Sequence, residues 1–229
     1  MILLQNIIES KYYYQPTWVM VIIVFSLMIL GYLYSAFHSR FMNFLKAVFL
    51  SRFSVQASRE ERSFTHPVSL LLSLNFVLIA SLFVLQLLTS NFLFHSEIEF
   101  SLVSFILVTL IILGVYFIKI LFLKIFSFII DKQETISEYV FTIFLVNQFF
   151  GIVLLPVVLF IAYGPRSFMQ GYIYLGVLLA CTAFLVRVWK GLSNVLLNRE
   201  ASLFYLILYL CTLEILPLLI GIKLFERLI

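Results

Sequence analysis

Charge is what this sequence has least of. Among its 229 residues only 11% are Asp, Glu, Lys or Arg, against 63% hydrophobic residues. A soluble domain carries about 25% charged and about half apolar residues, so this chain cannot cover a water-facing surface. That deficit excludes a soluble enzyme, a disordered tail and a nucleic-acid-binding module. Cysteine is scarce too. Cys181 and Cys211 both lie inside apolar segments, with neither CxxC nor Cys/His spacing, which argues against a disulfide framework or a zinc site. Aspartate is reduced to Asp131, so the paired aspartates of an intramembrane protease are missing. The chain also lacks HExxH, GxSxG, a P-loop and GxGxxG. The segment from Met1 to Pro16 holds Glu9 and Lys11 ahead of an apolar run too long for an h-region, so it does not read as a cleavable signal.

What the chain does have is apolar length. A bilayer core about 30 Å thick needs roughly 20 apolar residues in a helix. Six stretches qualify, at about 17–37, 67–88, 100–119 (or on to 130), 139–163, 168–186 and 201–222. Lipid cannot satisfy backbone polar groups, so these spans must be helices; continuous apolar runs of this length do not fit the ten-residue alternation of a barrel. The expected architecture is all-α: one polytopic transmembrane domain of six helices over residues 1–229.

Lysine and arginine orient it. The linkers after spans one, three and five hold five, three and three of them, and every other extramembrane segment holds two or fewer. The positive-inside rule places those three linkers in the cytoplasm, so both termini are expected to face outward. His38 and His66 then lie on the opposite side from His95, so the three cannot share a metal. No cofactor is expected.

The basic linkers resemble one another: RFMNFLKAVFLSR (40–52), KILFLKIFSFIIDK (119–132) and RVWKGLSNVLLNR (187–199). Each opens on a cation, holds a second inside and closes on a third, with acidic residues following. The chain therefore reads as three hairpins, each with a basic amphipathic cytoplasmic elbow, although the insertion rule alone also produces basic linkers. In the first elbow Phe41, Phe44, Leu45, Val48, Phe49 and Phe53 share one helical face, apart from Arg40, Lys46 and Arg52. Such a helix is expected in the headgroup plane with its Phe side chains in the acyl boundary; a partner-docking helix would use the same face. Arg59, Glu60, Glu61 and Arg62 follow in a polar linker, and either pair locally or offer charge to a partner. Pro67 suits the first turn of span two.

Polar residues inside spans are costly in lipid, so they mark candidate sites. Glu214 is the one carboxylate well inside a span, three residues before Pro217. It fits a proton or cation site, and equally an interhelical pair. Asn75 in span two and Asn147 and Gln148 in span four fall at similar depth and are expected to form one polar layer, as packing contacts or as a substrate path. Gly151 allows close approach of a neighbouring backbone, Pro156 is expected to kink span four, and Ser69 and Ser73 make a small-xxx-small pair.

The runs RFMNFLKAVFLSRF (40–53) and SFTHPVSLLLSLNFVL (63–78) resemble an uncharacterised family of six-span inner-membrane proteins from Bacteroidota, known as a domain of unknown function. The resemblance implies an inner-membrane location. It supplies neither a chemistry nor functional residues.

With no catalytic set and little extramembrane mass, the expected function is non-enzymatic. The chain reads as a membrane subunit or assembly factor of a larger complex, whose partners are the bilayer and other membrane proteins or further copies of itself; the resemblance to Bacteroidota proteins implies that this complex is an envelope machine for secretion or motility. The alternative is a small transporter or channel using Glu214 and the Asn75, Asn147 and Gln148 layer. A lipid-handling enzyme ranks third.

Overall fold

The computed structural model describes residues 16–49, 67–90, 100–130 and 133–197. They form six α-helices: α1 (Thr17–Ala36), α2 (His38–Phe49), α3 (Pro67–Thr89), α4 (Leu102–Ile130), α5 (Gln133–Tyr163) and α6 (Met169–Leu197), with a 3₁₀ turn at Arg166–Phe168 joining the last two. Among the described residues there is no strand. Four helical stretches among the described residues are long and apolar enough to cross a membrane, namely α1, α3, Ile143–Tyr163 of α5 and Met169–Trp189 of α6, and α4 adds the shorter apolar stretch Leu102–Ile118. The described residues are thus all-helical, with helices of the length and apolarity that a membrane protein requires. The expected span at 201–222 lies outside the described residues, together with Glu214, Arg52, Arg59 and Arg62.

Pairs of touching residues give the relative directions of the helices. Down α1 and up α3, Val19 and Ile23 share a cluster with Ile79 and Leu82, Ser26 bonds Asn75, and Leu33 sits with Val68 and Leu72, so these two run antiparallel. Along α3 and α5 the pairs climb together, from Ser69 with Gln148, through Phe76 with Gly151, to Gln86 with Val158, so these two are parallel. Helices α5 and α6 form a hairpin, with Phe160 stacked on Tyr172 (ring centroids 5.3 Å apart) near the turn and Asn147 bonded to Arg187 far from it. At the start of α4, Phe100 and Phe105 lie against Trp18 of α1, with ring centroids 5.3 and 5.5 Å away.

The main core runs between α3 and α5 through Ile79, Leu82, Leu85, Leu154 and Val158. Gly151 makes that closeness possible: a Cβ there would lie 2.7 Å from the Phe76 Cα, inside the backbone of α3. The seam can therefore close only on a residue without a side chain.

Helix α2 differs from expectation. A break at Phe37 (φ −131°, ψ 38°) turns the chain out of α1. Phe41 and Phe44 are then buried in a cluster with Leu33, Val68, Leu72 and Leu145 of α1, α3 and α5. At these positions the phenylalanine face caps the bundle and does not rest in an acyl boundary, because the turn at Phe37 folds it back onto apolar helix ends. Arg40 is on the exposed side. The second and third basic stretches also differ from the elbows expected of them. They continue α4 to Ile130 and α6 to Leu197 within single helices of 29 residues each. No proline interrupts either helix, so nothing there stops propagation. Helix α5 likewise runs on through Pro156, whereas Pro67 opens α3 as its N–H deficit predicts.

Candidate functional site

Asn75, Asn147 and Gln148 lie in the half of the bundle nearest α2, and helical periodicity sends each to a different neighbour. Successive residues are rotated by about 100°. Gln148 and Gly151 therefore share the face of α5 turned to α3, while Asn147, one step earlier, faces α6. On α3, Ser69, Ser73 and Phe76 make one stripe toward α5, and Asn75 points round to α1.

Gln148 is buried, and its Nε2 donates toward three acceptors on α3: the Ser69 carbonyl at 3.0 Å, Ser69 Oγ at 3.0 Å and Ser73 Oγ at 2.8 Å. Because a backbone carbonyl can only accept, that contact also settles which end of the amide faces α3. Asn75, fully buried, accepts from Ser26 Oγ of α1. Asn147, only 2% exposed, accepts from Nη2 of Arg187 on α6. Near the opposite end, Gln86 donates to the Val158 carbonyl at 3.3 Å.

Asn75, Asn147 and Gln148 do lie in the same half of the bundle. They do not unite in one hydrogen-bonded set: Asn75 ties α3 to α1, Gln148 ties α5 to α3, and Asn147 ties α5 to α6. The reason is angular, since neighbours in sequence on a helix cannot face the same partner.

Some donors are left over. Asn75 Nδ2, Asn147 Nδ2 and Arg187 Nε are buried with no hydrogen-bond partner among the described residues, as is the acceptor Gln86 Oε1. Sequence reasoning counted Arg187 only as a linker cation and passed over Ser26. Both had a signal. Ser26 falls on the 19–23–26–29–33 stripe of buried positions in α1, and Arg187 stands in a helical pattern that no breaker ends.

Of the cations singled out for partner or lipid contact, Arg40 is exposed on α2 and Lys46 lies in the same helix, while Arg52, Arg59 and Arg62 lie outside the described residues, as does Glu214. No group of three or more His, Cys, Asp or Glu side chains gathers among the described residues. Chemically, the site is a set of amide, hydroxyl and guanidinium groups suited to holding helices together or to receiving an oxygen acceptor.

The DUF4271 domain, a domain of unknown function, matches residues 19–225. The chain belongs to the DUF4271 family. The match takes in all six helices apart from the first residues of α1, so the bundle and its polar half are the family's domain. No curated protein and no solved structure matches the chain.

Proposed function

We propose that this DUF4271 protein is a non-enzymatic integral subunit or assembly factor of a larger envelope complex. We place it in the inner membrane of a Bacteroidota-type bacterium, with six spans, both termini periplasmic and the α2 end cytoplasmic. The observation that carries this reading is the use made of the interior polar groups. Gln148 is taken up by three acceptors on α3, and Gly151 seals the same seam against Phe76. Polar groups so engaged hold helices together; they do not line a path between α3 and α5. Meanwhile α1 turns Met20, Phe25, Met28 and Tyr32 outward, a face fit for lipid or for another membrane helix.

The test is extraction of tagged protein from its native host in mild detergent. A partner should co-purify in stoichiometric amount and be lost on charge reversal at Arg59 and Arg62. Protein that elutes alone with flux activity sinks this reading.

A second reading, a small transporter or channel, draws support from the buried unpaired donors Asn75 Nδ2 and Asn147 Nδ2. Transport would make Glu214→Gln abolish flux in protein that still folds and inserts. A subunit role would make the same change mild.

A further inference from the structure

Arg187 and Asn147 form a donor site that lacks an acceptor. Arg187 gives an Nη2 proton to Asn147 Oδ1, which obliges the amide to turn its Nδ2 elsewhere. That Nδ2 and Arg187 Nε are both buried without a hydrogen-bond partner among the described residues, and Asn147 itself is only 2% exposed. Arginine carries its charge in any protein environment, and a cation held in apolar packing without a counter-charge is strongly disfavoured. The described residues offer none at this level. Their only carboxylates belong to Glu134 and Glu138, and Glu138, the nearer in sequence, precedes Asn147 by nine residues, about 13 Å of helix. Two N–H groups beside a guanidinium call for an oxygen anion from outside.

The place of the pair on α6 points to the source of that anion. The membrane-length stretch Met169–Trp189 ends two residues beyond Arg187, which puts the pair at the edge of the hydrocarbon layer, beside the lipid phosphates. An exposed tryptophan at position 189 suits the same boundary. Arg187 is half-buried, and Leu185, Val186 and Trp189 around it are exposed, so lipid can reach its side chain. A turn of the long arginine stem then brings Nε to an arriving oxygen. A phosphodiester has two free oxygens sharing one negative charge, and a guanidinium takes such a pair in parallel hydrogen bonds. Basic pockets between membrane helices receive acidic headgroups in this way.

We propose that Arg187 and Asn147 bind the phosphate of an anionic lipid headgroup at the seam between α5 and α6. Arg187 supplies the charge and the Nε donor. Asn147 supplies Nδ2, while its Oδ1 holds the guanidinium in place. The site goes beyond the subunit reading and stands whether or not a partner docks on the bundle. It makes one bound lipid a part of the α5–α6 hairpin.

The test follows thermal unfolding of the full chain, washed free of lipid in mild detergent, during titration with phosphatidylglycerol, phosphatidylcholine or inorganic phosphate. Phosphatidylglycerol should raise the unfolding midpoint. Phosphatidylcholine, whose own ammonium offsets its phosphate, should act much more weakly. Arg187→Gln should weaken the apparent affinity for phosphatidylglycerol at least about tenfold, the worth of one charge-assisted hydrogen bond. Asn147→Asp keeps the test decisive should that variant fail to fold. Its carboxylate can accept from Nη2 and Nε together, so the lipid-free protein should be at least as stable as the parent and should lose the phosphatidylglycerol response. A response that survives Asn147→Asp, or no response in the parent protein, overturns the site. Inorganic phosphate that matches phosphatidylglycerol, with the same dependence on Arg187, overturns the headgroup as the source and assigns a free phosphate ion.

Discussion

Helices α1 and α3 have closely similar hydropathy, yet 28% of the membrane-length window is buried in α1 and 61% in α3. In water, equal hydropathy would drive equal burial. In lipid it does not, because acyl chains are as apolar as leucine and offer an exposed side chain the same environment as a neighbouring helix. What separates the two is small and polar content. Helix α3 presents Ser69 and Ser73 to Gln148 and its bare backbone at Phe76 to Gly151, so it has something to hold and can be approached closely. Helix α1 offers Ser26 alone among its buried residues, and turns Met20, Phe25, Met28 and Tyr32 outward.

That contrast can be broken at its tightest point first. Gly151→Ala puts a Cβ into the backbone of α3, and the two helices must move apart; the expected loss is about 3 kcal/mol by detergent unfolding. A near-neutral result would mean that the α3–α5 seam is looser than the Phe76 contact implies. Gly176→Ala is the control, since its Cβ would meet the edge of the Phe83 ring, 2.3 Å away. A ring can swing where a backbone cannot, so about 1 kcal/mol is expected there.

Next in size is Gln148→Leu, which keeps the volume and removes the donor to Ser69 and Ser73. A loss of about 1–2 kcal/mol is expected, and Ser69→Ala added to it should cost little more, because both changes act on one interaction. Full additivity in that double-mutant cycle would show that Gln148 does not act through the Ser69 hydroxyl. Ser26→Ala should cost about 0.6 kcal/mol, the typical value of one interhelical hydrogen bond in a membrane. The smallest effect belongs to the outer face. Met28→Leu should stay within about 0.5 kcal/mol, and a larger loss in the isolated protein would reveal a contact that α1 makes beyond the bundle.

The helical class and the first two long helices were legible in the sequence. The apolar runs at 17–37 and 67–88 became α1 and α3 with ends shifted by a residue at most, since the bilayer demands a helix of a given length and the flanking polar residues end it. The elbows were less legible. Three similar basic stretches became one separate helix, α2, and two helix extensions, because a break depends on local backbone geometry such as that at Phe37, and not on where cations fall. The site was legible as a set of residues and illegible as a set of pairs. Asn75, Asn147 and Gln148 stand out in lipid by their cost, but nothing in their spacing names Ser26, Ser69 or Arg187 as partners.

By itself the amino-acid sequence determined that this chain is helical and belongs in a membrane, roughly where its helices lie, and which few polar groups they must hide. Those properties follow from transfer energies and backbone hydrogen bonding, which act on each segment separately. The tertiary structure alone decided that α2 folds back onto the bundle, that α3 is central and α6 exposed, and that Asn147 turns to Arg187 while Gln148 beside it turns to α3. These outcomes depend on the rotation of each helix about its axis, and in lipid that rotation is set by a few glycines and hydrogen bonds between helices, not by hydrophobicity.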